Sequence, residues 1–350
     1  MIPGVVAHLW QSTWFLGAAW LLTLVLRRNG AQVRFAVWFA GSVKFLIPFS
    51  LLVGLGSLAP RHEAEPAARG EWLAAAERMG QPLVAFPAAA IQVAGATPRA
   101  HYMGAAVLIL WACGFATVAI CWLGRWRRMH TLRHSAKLAN LGELAVPVMF
   151  APGLVEPGVF GIFRPVLLLP EGIEERLDAG QLKAILAHEL CHVRRRDNLT
   201  AAIHMVTHAI FWFHPLVWWL GTRLVDERER ACDEEVLRLG WQPRVYAEGI
   251  LNVCRLYMAS PLATVSGVTG SNLKKRIEAI MRNRSQLPIN LIRKSALAVA
   301  GSTALIAPVA FGILNAPFVH ARASSPQAQA KPALASPDPA LRFEVASIKP

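Results

Sequence analysis

The chain has 350 residues, of which 54% are hydrophobic and 17% charged, with a mean hydropathy of +0.38 and a formal net charge of +14. This composition is typical of a membrane protein. The basic residues cluster beside apolar segments, so attraction to anionic lipid headgroups explains the charge. Because no zinc ribbon, recognition helix or RNA-binding signature is present, direct nucleic-acid binding is not expected.

Three apolar segments in the first half of the chain reach the length of about 20 residues that a membrane-spanning helix needs. They are residues 5–26, 35–58 and 103–123. Lys44 lies inside the second segment and has to extend toward the headgroups or face neighbouring helices. The alternative for each segment is a helix buried in a protein core. We predict three transmembrane helices within residues 1–125, joined by an outside loop at about residues 59–101.

A change of pattern follows the third apolar segment. Residues 126–145 are basic and helical in pattern, whereas residues 146–170 hold short β-prone runs broken by proline and glycine. Such runs predict a small sheet of hairpins. An exposed edge strand of this sheet could bind an extended peptide by strand addition. Residues 171–256 then return to a helical pattern.

The most informative motif is His188-Glu189-Leu190-Cys191-His192. In a helix of about 3.6 residues per turn, positions i and i+4 share a face, so both imidazoles can bind one metal ion. Glu189 projects about 100° from the first histidine, close enough to act on a water molecule at the metal. The pattern is typical of a zinc hydrolase. The alternative is a surface helix with two solvated histidines.

Catalytic zinc usually has three protein ligands, so a further ligand is expected from elsewhere in the chain. An acidic cluster supplies the candidates, which are Asp226, Glu227, Glu229, Asp233, Glu234 and Glu235. Glu229 and Asp233 are four residues apart. One helix could therefore present Glu229 to zinc and Asp233 to the distal N–H of a zinc-bound histidine. The alternative is an amphipathic helix whose carboxylates are solvated and paired with nearby arginines.

A fifth apolar segment, residues 199–220, lies between the two halves of this site. If it were a single span, His188 and Glu229 would lie on opposite sides of the membrane and could not share a metal. We therefore expect two helices joined at His214-Pro215, with the proline in the first turn of the second helix, where its missing N–H costs nothing.

Four other residues near the motif are expected to be structural, namely His204, His208, Cys191 and Cys232. The two histidines share a helix face and could instead line the site. The cysteines could reach a metal, but Glu189 would have no catalytic role if Cys191 were a ligand. Disulfides are not expected among the five cysteines of the chain.

Four segments occur in order along the chain, with the sequences FRPVLLLPE at 163–171, HELCH followed by RRD at 188–197, FHPLVWW at 213–219 and ERACDE at 229–234. This ordered set resembles the membrane-embedded zinc metallopeptidase domain of the penicillinase and methicillin-resistance sensor-transducers, the antirepressor family. The resemblance covers residues 4–317.

The resemblance implies a gluzincin site in which His188, His192 and Glu229 hold Zn²⁺ and Glu189 is the general base. The glutamate-x-x-x-aspartate pairing of the family matches Glu229 and Asp233, and the latter is expected to support a ligand. The implied substrate is a cytoplasmic repressor of the winged-helix type, the protease's own chain, or both. The implied setting is the lipid bilayer of the bacterial inner membrane, and a homodimer is left open.

The last part of the chain continues the membrane pattern. Residues 271–284 predict an amphipathic helix, and residues 296–318 a fourth span. Residues 319–342 are rich in Ala, Ser, Pro and Gln and predict a flexible outside linker. Residues 343–350 resemble the opening of a secreted domain, so we expect the start of a truncated or missing outside domain. We do not expect the penicillin-binding sensor of the best-known relatives within these residues.

Basic residues follow the first and third spans and precede the fourth, whereas the loop at 59–101 has no basic excess. Cytoplasmic loops carry the excess of Lys and Arg, so both chain ends are expected outside and residues 126–291 in the cytoplasm. The prediction is a mainly α membrane protein, with four transmembrane helices, the fourth within 292–318, and an inserted α+β zinc-peptidase domain.

Two other functions remain open at this point. One is a non-proteolytic signalling scaffold with structural zinc, which a fully occupied fourth coordination position would favour. The other is a constitutive quality-control protease of the membrane, and a neighbouring winged-helix repressor gene would argue for signalling instead.

Overall fold

The structure is a computed structural model that describes residues 2–58, 98–139, 141, 144–154, 156–258, 270–282 and 291–314. Most of the predicted outside loop, the predicted linker at 319–342 and the terminal segment 343–350 lie outside the described residues. The described chain is mainly helical and carries one small sheet.

The first four helices among the described residues are α1 (Ile2–Val25), α2 (Ala31–Leu46), α3 (Phe49–Ser57) and α4 (Pro98–Ser135). The predicted span at 35–58 is therefore not one straight helix, because α2 and α3 are bent by 66° relative to each other. Pro48 causes the break. A residue before proline is pushed out of the helical region, and Ile47 has extended φ and ψ of −113° and 94°.

One described helix, α4 over Tyr102–Ser135, is by itself long and apolar enough to cross a membrane. The bent pair α2–α3 passes the same test only when taken together. Side chains of α4 such as Leu108 and Ile109 face outward, with 66% and 63% of their surface exposed. This outward apolar surface is the one that a bilayer would cover.

The sheet has four strands, β1 (Lys137–Leu138), β2 (Val148–Ala151), β3 (Gly158–Phe160) and β4 (Val166–Pro170), in the order β1-β2-β4-β3. The predicted strands within 146–170 are confirmed, and within this range β3 and β4 form a hairpin, whereas β2 pairs antiparallel with β1. Strands β2 and β4 pair in parallel, and β1 comes from the connector that was predicted to be helical. Strand β4 is central and buried, which leaves β3 as an edge.

Seven more helices complete the described chain. They are α5 (Ile173–Arg176), α6 (Ala179–Arg195), α7 (Asp197–Ile210), α8 (Pro215–Arg238), α9 (Pro243–Met258), α10 (Gly270–Arg282) and α11 (Leu291–Leu314). The break predicted in the fifth apolar segment is confirmed, since α7 ends at Ile210 and α8 begins at Pro215 with His214 as its N-cap. The predicted fourth span corresponds to α11, whose apolar stretch Ser295–Phe311 is short for a span.

Helix α8 belongs to two hydrophobic clusters. Its N-terminal half packs Val217 and Leu220 against α1 and α2, where Leu16 and Trp38 are buried. Its C-terminal half packs Val236 against the sheet, α6, α9 and α10. The helix that carries the acidic cluster thus connects the first two helices of the chain to the core around the sheet.

Buried polar contacts reinforce the packing of α2 on α8. The guanidinium of Arg34 lies 2.9 Å from the Glu227 carboxylate, and both side chains are buried. The backbone N–H of Ala31, at the start of α2, donates to Glu234 over 2.8 Å. A carboxylate at a helix N-terminus satisfies a backbone donor that has no partner within the helix.

Candidate metal centre

Helix α6 places His188, Glu189 and His192 at the site. Its N-terminus is fixed by a capping box, in which Asp178 accepts from the Gln181 backbone over 2.8 Å and the Gln181 side chain accepts from Asp178. The helix ends at Arg195, and its C-cap residue Arg196 has a left-handed φ of 55°. The turn that follows brings the first residue of α7, Asp197, back toward the histidines.

The structure brings together the three ligands that the sequence predicted. Nε2 of His188 lies 3.2 Å from Nε2 of His192 and 3.4 Å from Oε2 of Glu229. Nε2 of His192 lies 3.8 Å from Oε1 of Glu229. A tetrahedral zinc ion with bonds of about 2.0–2.1 Å sets its ligand atoms about 3.3 Å apart. The three donors therefore fit a single zinc ion.

An aspartate that the sequence analysis did not assign supports His192. Oδ2 of Asp197 lies 2.7 Å from Nδ1 of His192, and Asp197 is buried and also paired with Arg195. A carboxylate at that distance accepts the Nδ1 proton and leaves the Nε2 lone pair free for a metal. Asp197 directly follows three arginines in the sequence. Its approach to His192 depends on the left-handed turn at Arg196, which the sequence pattern does not predict.

His188 is supported through a tyrosine. The Tyr246 hydroxyl lies 2.6 Å from Oδ1 of Asp233 and 2.8 Å from Nδ1 of His188. A phenol has one proton, so it donates to the carboxylate and accepts from the imidazole. The predicted partner, Asp233, lies 3.4 Å from Nδ1. It therefore acts on His188 chiefly through Tyr246, which no sequence pattern singled out.

The contacts at the two Nδ1 atoms turn both Nε2 atoms toward the same point. They lie 3.2 Å from each other, and both face the Glu229 carboxylate. This is the orientation in which two imidazoles can bind one metal ion through Nε2.

The carboxylate of Glu229 is held in its charged form. Burial raises the pKa of Glu229, but the hydrogen bond and charge of His188, together with Arg276 and Arg228, outweigh it and hold the pKa well below its usual range. A deprotonated carboxylate is the form that binds zinc.

A cavity of about 870 Å³ opens on the three donors. Its lining includes Glu189, Arg276 and the edge-strand residues Gly158 and Val159. The Asn198 side chain donates to the carbonyl oxygens of Val159 and Gly161 over 3.0 and 2.9 Å. A peptide that adds to this edge, as the sequence analysis suggested, would therefore have to share or displace the contact with Asn198.

A second group of donors, His192, Asp197 and Cys232, also lies within 4.8 Å of one another. A metal bound by this group would need Nδ1 of His192, which lies 3.4 Å from the Cys232 sulfur. That Nδ1 atom already donates a hydrogen bond to Asp197. One imidazole that donates through Nδ1 cannot also bind a metal there. Cys191 and Cys232 are buried, as expected, and His204 bonds Ser42 away from the site, with 2.9 Å between Nδ1 and Oγ.

An HExxH helix that faces a glutamate of a second helix across a cavity is the arrangement typical of metallopeptidases. Comparison with known families agrees with this class. Residues 8–280 match the family described as BlaR1 peptidase M56, so the chain belongs to that family. The family comprises membrane-associated metallopeptidases.

Several curated proteins are similar to parts of the chain. The regulatory protein BlaR1 of Bacillus licheniformis is 31% identical over 49% of this chain and 29% of its own length. The methicillin resistance mecR1 protein of Staphylococcus aureus is 27% identical over 39% of this chain and 24% of its own length. A protease HtpX homolog of Acaryochloris marina is 26% identical over 33% of this chain and 52% of its own length. The match thus spans about a quarter to a third of the length of the first two relatives.

Proposed function

We propose that this protein is a multi-pass membrane zinc endopeptidase that transduces an outside signal by cleaving a cytoplasmic repressor, its own chain, or both. The observation that carries the proposal is the convergence of His188, His192 and Glu229 beside Glu189 and an open cavity. The similarity to proteins named for regulation and methicillin resistance supports the signalling part.

His188, His192 and Glu229 would hold a zinc ion, which would supply a Lewis acid for the scissile carbonyl and lower the pKa of a bound water. Glu189 is buried on the same helix, one residue after the first histidine, and lines the cavity. It is placed to take a proton from the attacking water and to pass it to the leaving amine. Asp197 and the Tyr246–Asp233 pair keep the two imidazoles in the required orientation.

The open cavity argues against a purely structural zinc, whose fourth coordination position would be filled by protein. A constitutive protease is the second candidate, because proteins named as protease HtpX homologs match the chain. The two candidates share the chemistry of the site but differ in whether cleavage requires an outside stimulus and a specific repressor.

The test is proteolysis by the full chain in lipid nanodiscs, with a winged-helix repressor encoded beside its gene as substrate. Glu189→Gln should abolish cleavage while zinc remains bound, since the amide cannot accept the proton; losses of at least about 10²-fold are expected. Glu175→Gln, at an exposed position of α5, is the matched control. Mass spectrometry reads both the repressor and the enzyme's own chain.

Cleavage by Glu189→Gln at the wild-type rate would refute the mechanism. Cleavage of unrelated membrane proteins without any stimulus would favour the constitutive protease.

A further inference from the structure

Arg276 extends from α10 into the metal centre, and neither the motif nor the spacing of the acidic cluster predicted it. We propose that Arg276 is a catalytic residue, whose guanidinium donates a hydrogen bond to the oxygen of the scissile carbonyl as negative charge develops there. This inference rests on the proposed peptide hydrolysis and assigns a new residue to it.

The guanidinium is held in one orientation by Asp233. Nε of Arg276 donates to Oδ2 over 2.8 Å, and Nη2 donates to Oδ1 over 2.7 Å. Such a bidentate pair fixes the plane of the guanidinium as well as its position. Because α8 carries both Asp233 and Glu229, the contact that orients Arg276 is built on the helix that supplies the third ligand.

The remaining nitrogen, Nη1, is directed toward the metal centre. It lies 3.4 Å from Oε2 of Glu229, and it has no shorter polar contact among the described residues. Nη2 lies 3.2 Å from Nε2 of His188. The guanidinium therefore borders two of the three ligands and lines the cavity that opens on them. A carbonyl oxygen that approaches the metal comes within reach of an unused N–H of Nη1.

The charge of Arg276 is secured by its surroundings. An arginine guanidinium stays protonated in proteins, and the Asp233 carboxylate lies 2.7 Å from it as a counter-charge. A cation that is already held in place does not have to reorient during the reaction. It stabilises the negatively charged oxygen of the transition state more than the neutral carbonyl of the bound substrate. The two carboxylates of Glu229 and Asp233 balance its charge beside a bound metal ion.

The competing explanation is that Arg276 only joins α10 to α8 through Asp233. A structural clamp would affect zinc binding or folding, whereas an oxyanion donor would affect the transition state alone. Removal of one oxyanion donor lowers kcat by about 10²- to 10³-fold. The affinity of a transition-state analogue therefore distinguishes the two roles, because loss of an oxyanion donor lowers that affinity while zinc stays bound.

The experiment uses the zinc-loaded full chain in nanodiscs and compares the wild type with Arg276→Lys, which keeps the positive charge near Asp233. Arg244→Lys, at an exposed position of α9, is the control. Three quantities are measured: zinc per chain, kcat and KM for the repressor, and the affinity of a phosphinic peptide that mimics the tetrahedral transition state. Substrate affinity without turnover is measured in the Glu189→Gln background, with and without Arg276→Lys.

We expect Arg276→Lys to retain one zinc and to bind substrate within about 3-fold of its parent, while kcat and the affinity for the phosphinic peptide both fall about 10²-fold. Unchanged affinity for the phosphinic peptide, or loss of zinc together with activity, would overturn the inference and leave the proposed function standing. A zinc-loaded wild-type chain without peptidase activity would overturn the proposed function, and this inference with it.

Discussion

At the scale of single residues, the two histidines of the site are oriented in different ways. His192 donates directly to Asp197, but His188 donates to the Tyr246 hydroxyl, which in turn donates to Asp233. The phenol is fully buried, so its hydrogen bonds form away from competing water. The orientation of one proposed zinc ligand thus depends on Tyr246 of α9, which lies outside the group of three donors.

Tyr246→Phe removes one oxygen atom and keeps the ring that packs in the core. We predict that zinc affinity falls about 10- to 100-fold, because Nδ1 of His188 loses its acceptor and the ring loses its fixed orientation. Competition with a zinc chelator measures the change. Tyr102→Phe, on the exposed surface of α4, provides the control. Equal zinc affinity in the Tyr246→Phe variant would show that the phenol does not position the ligand.

The sequence predicted those site residues that are related by helical spacing. His188 and His192, like Glu229 and Asp233, lie on one helix face because of the helical repeat, and the resemblance joined the two pairs. The sequence did not predict that Asp197, Tyr246 and Arg276 lie at the site. Their approach depends on how α7, α9 and α10 dock on the ligand helices, and no local periodicity encodes that docking.

At the scale of elements, local signals predicted helices better than they predicted their arrangement. The break at His214-Pro215 was expected because a span there would separate the metal ligands, and the proline marks the start of α8. The bend at Pro48 was missed because the apolar run at 35–58 continues through the proline. Hydropathy measures how apolar a segment is, but it does not register that Ile47 must leave the helical region.

The sheet shows the same limit. Proline and glycine correctly marked its strands within 146–170, but the parallel pairing of β2 with β4 was not predicted. Parallel pairing requires a crossover between the strands, and here β3 is formed within that connection. The buried Leu167 and Leu169 of β4 belong to the same hydrophobic cluster as Ala184 and Ile185 of α6, which lies later in the chain.

At the scale of the whole molecule, the metal centre and the first helices of the chain share one structural element. Helix α8 supplies Glu229 and Asp233, and it also binds α2 through Glu227 and Glu234. The last described helix, α11, packs closely on α3, where a Cβ at Gly56 would overlap the backbone carbonyl of Val309. The contacts of α2 thus join the first helices to the ligand helix α8, whereas α11 packs on α3.

We propose that the chain crosses the membrane four times with both ends outside, because basic residues flank residues 126–291 on both sides. Alkaline phosphatase, which is active only outside the cytoplasm, tests this topology. We predict activity for fusions after residues 75 and 320 and none for a fusion after residue 135, with immunoblots to confirm equal expression. An active fusion after residue 135 would place the zinc domain on the wrong side for a cytoplasmic substrate.

The central claim is that His188, His192 and Glu229 hold one zinc ion. Metal analysis combined with X-ray absorption of the purified full chain tests it most directly. We predict one zinc per chain, with imidazole nitrogen and carboxylate oxygen at about 2.0–2.1 Å, and loss of the metal in Glu229→Ala but not in the exposed-site control Glu248→Ala. A sulfur ligand at about 2.3 Å, which would indicate Cys232, or full zinc occupancy in Glu229→Ala would contradict the claim.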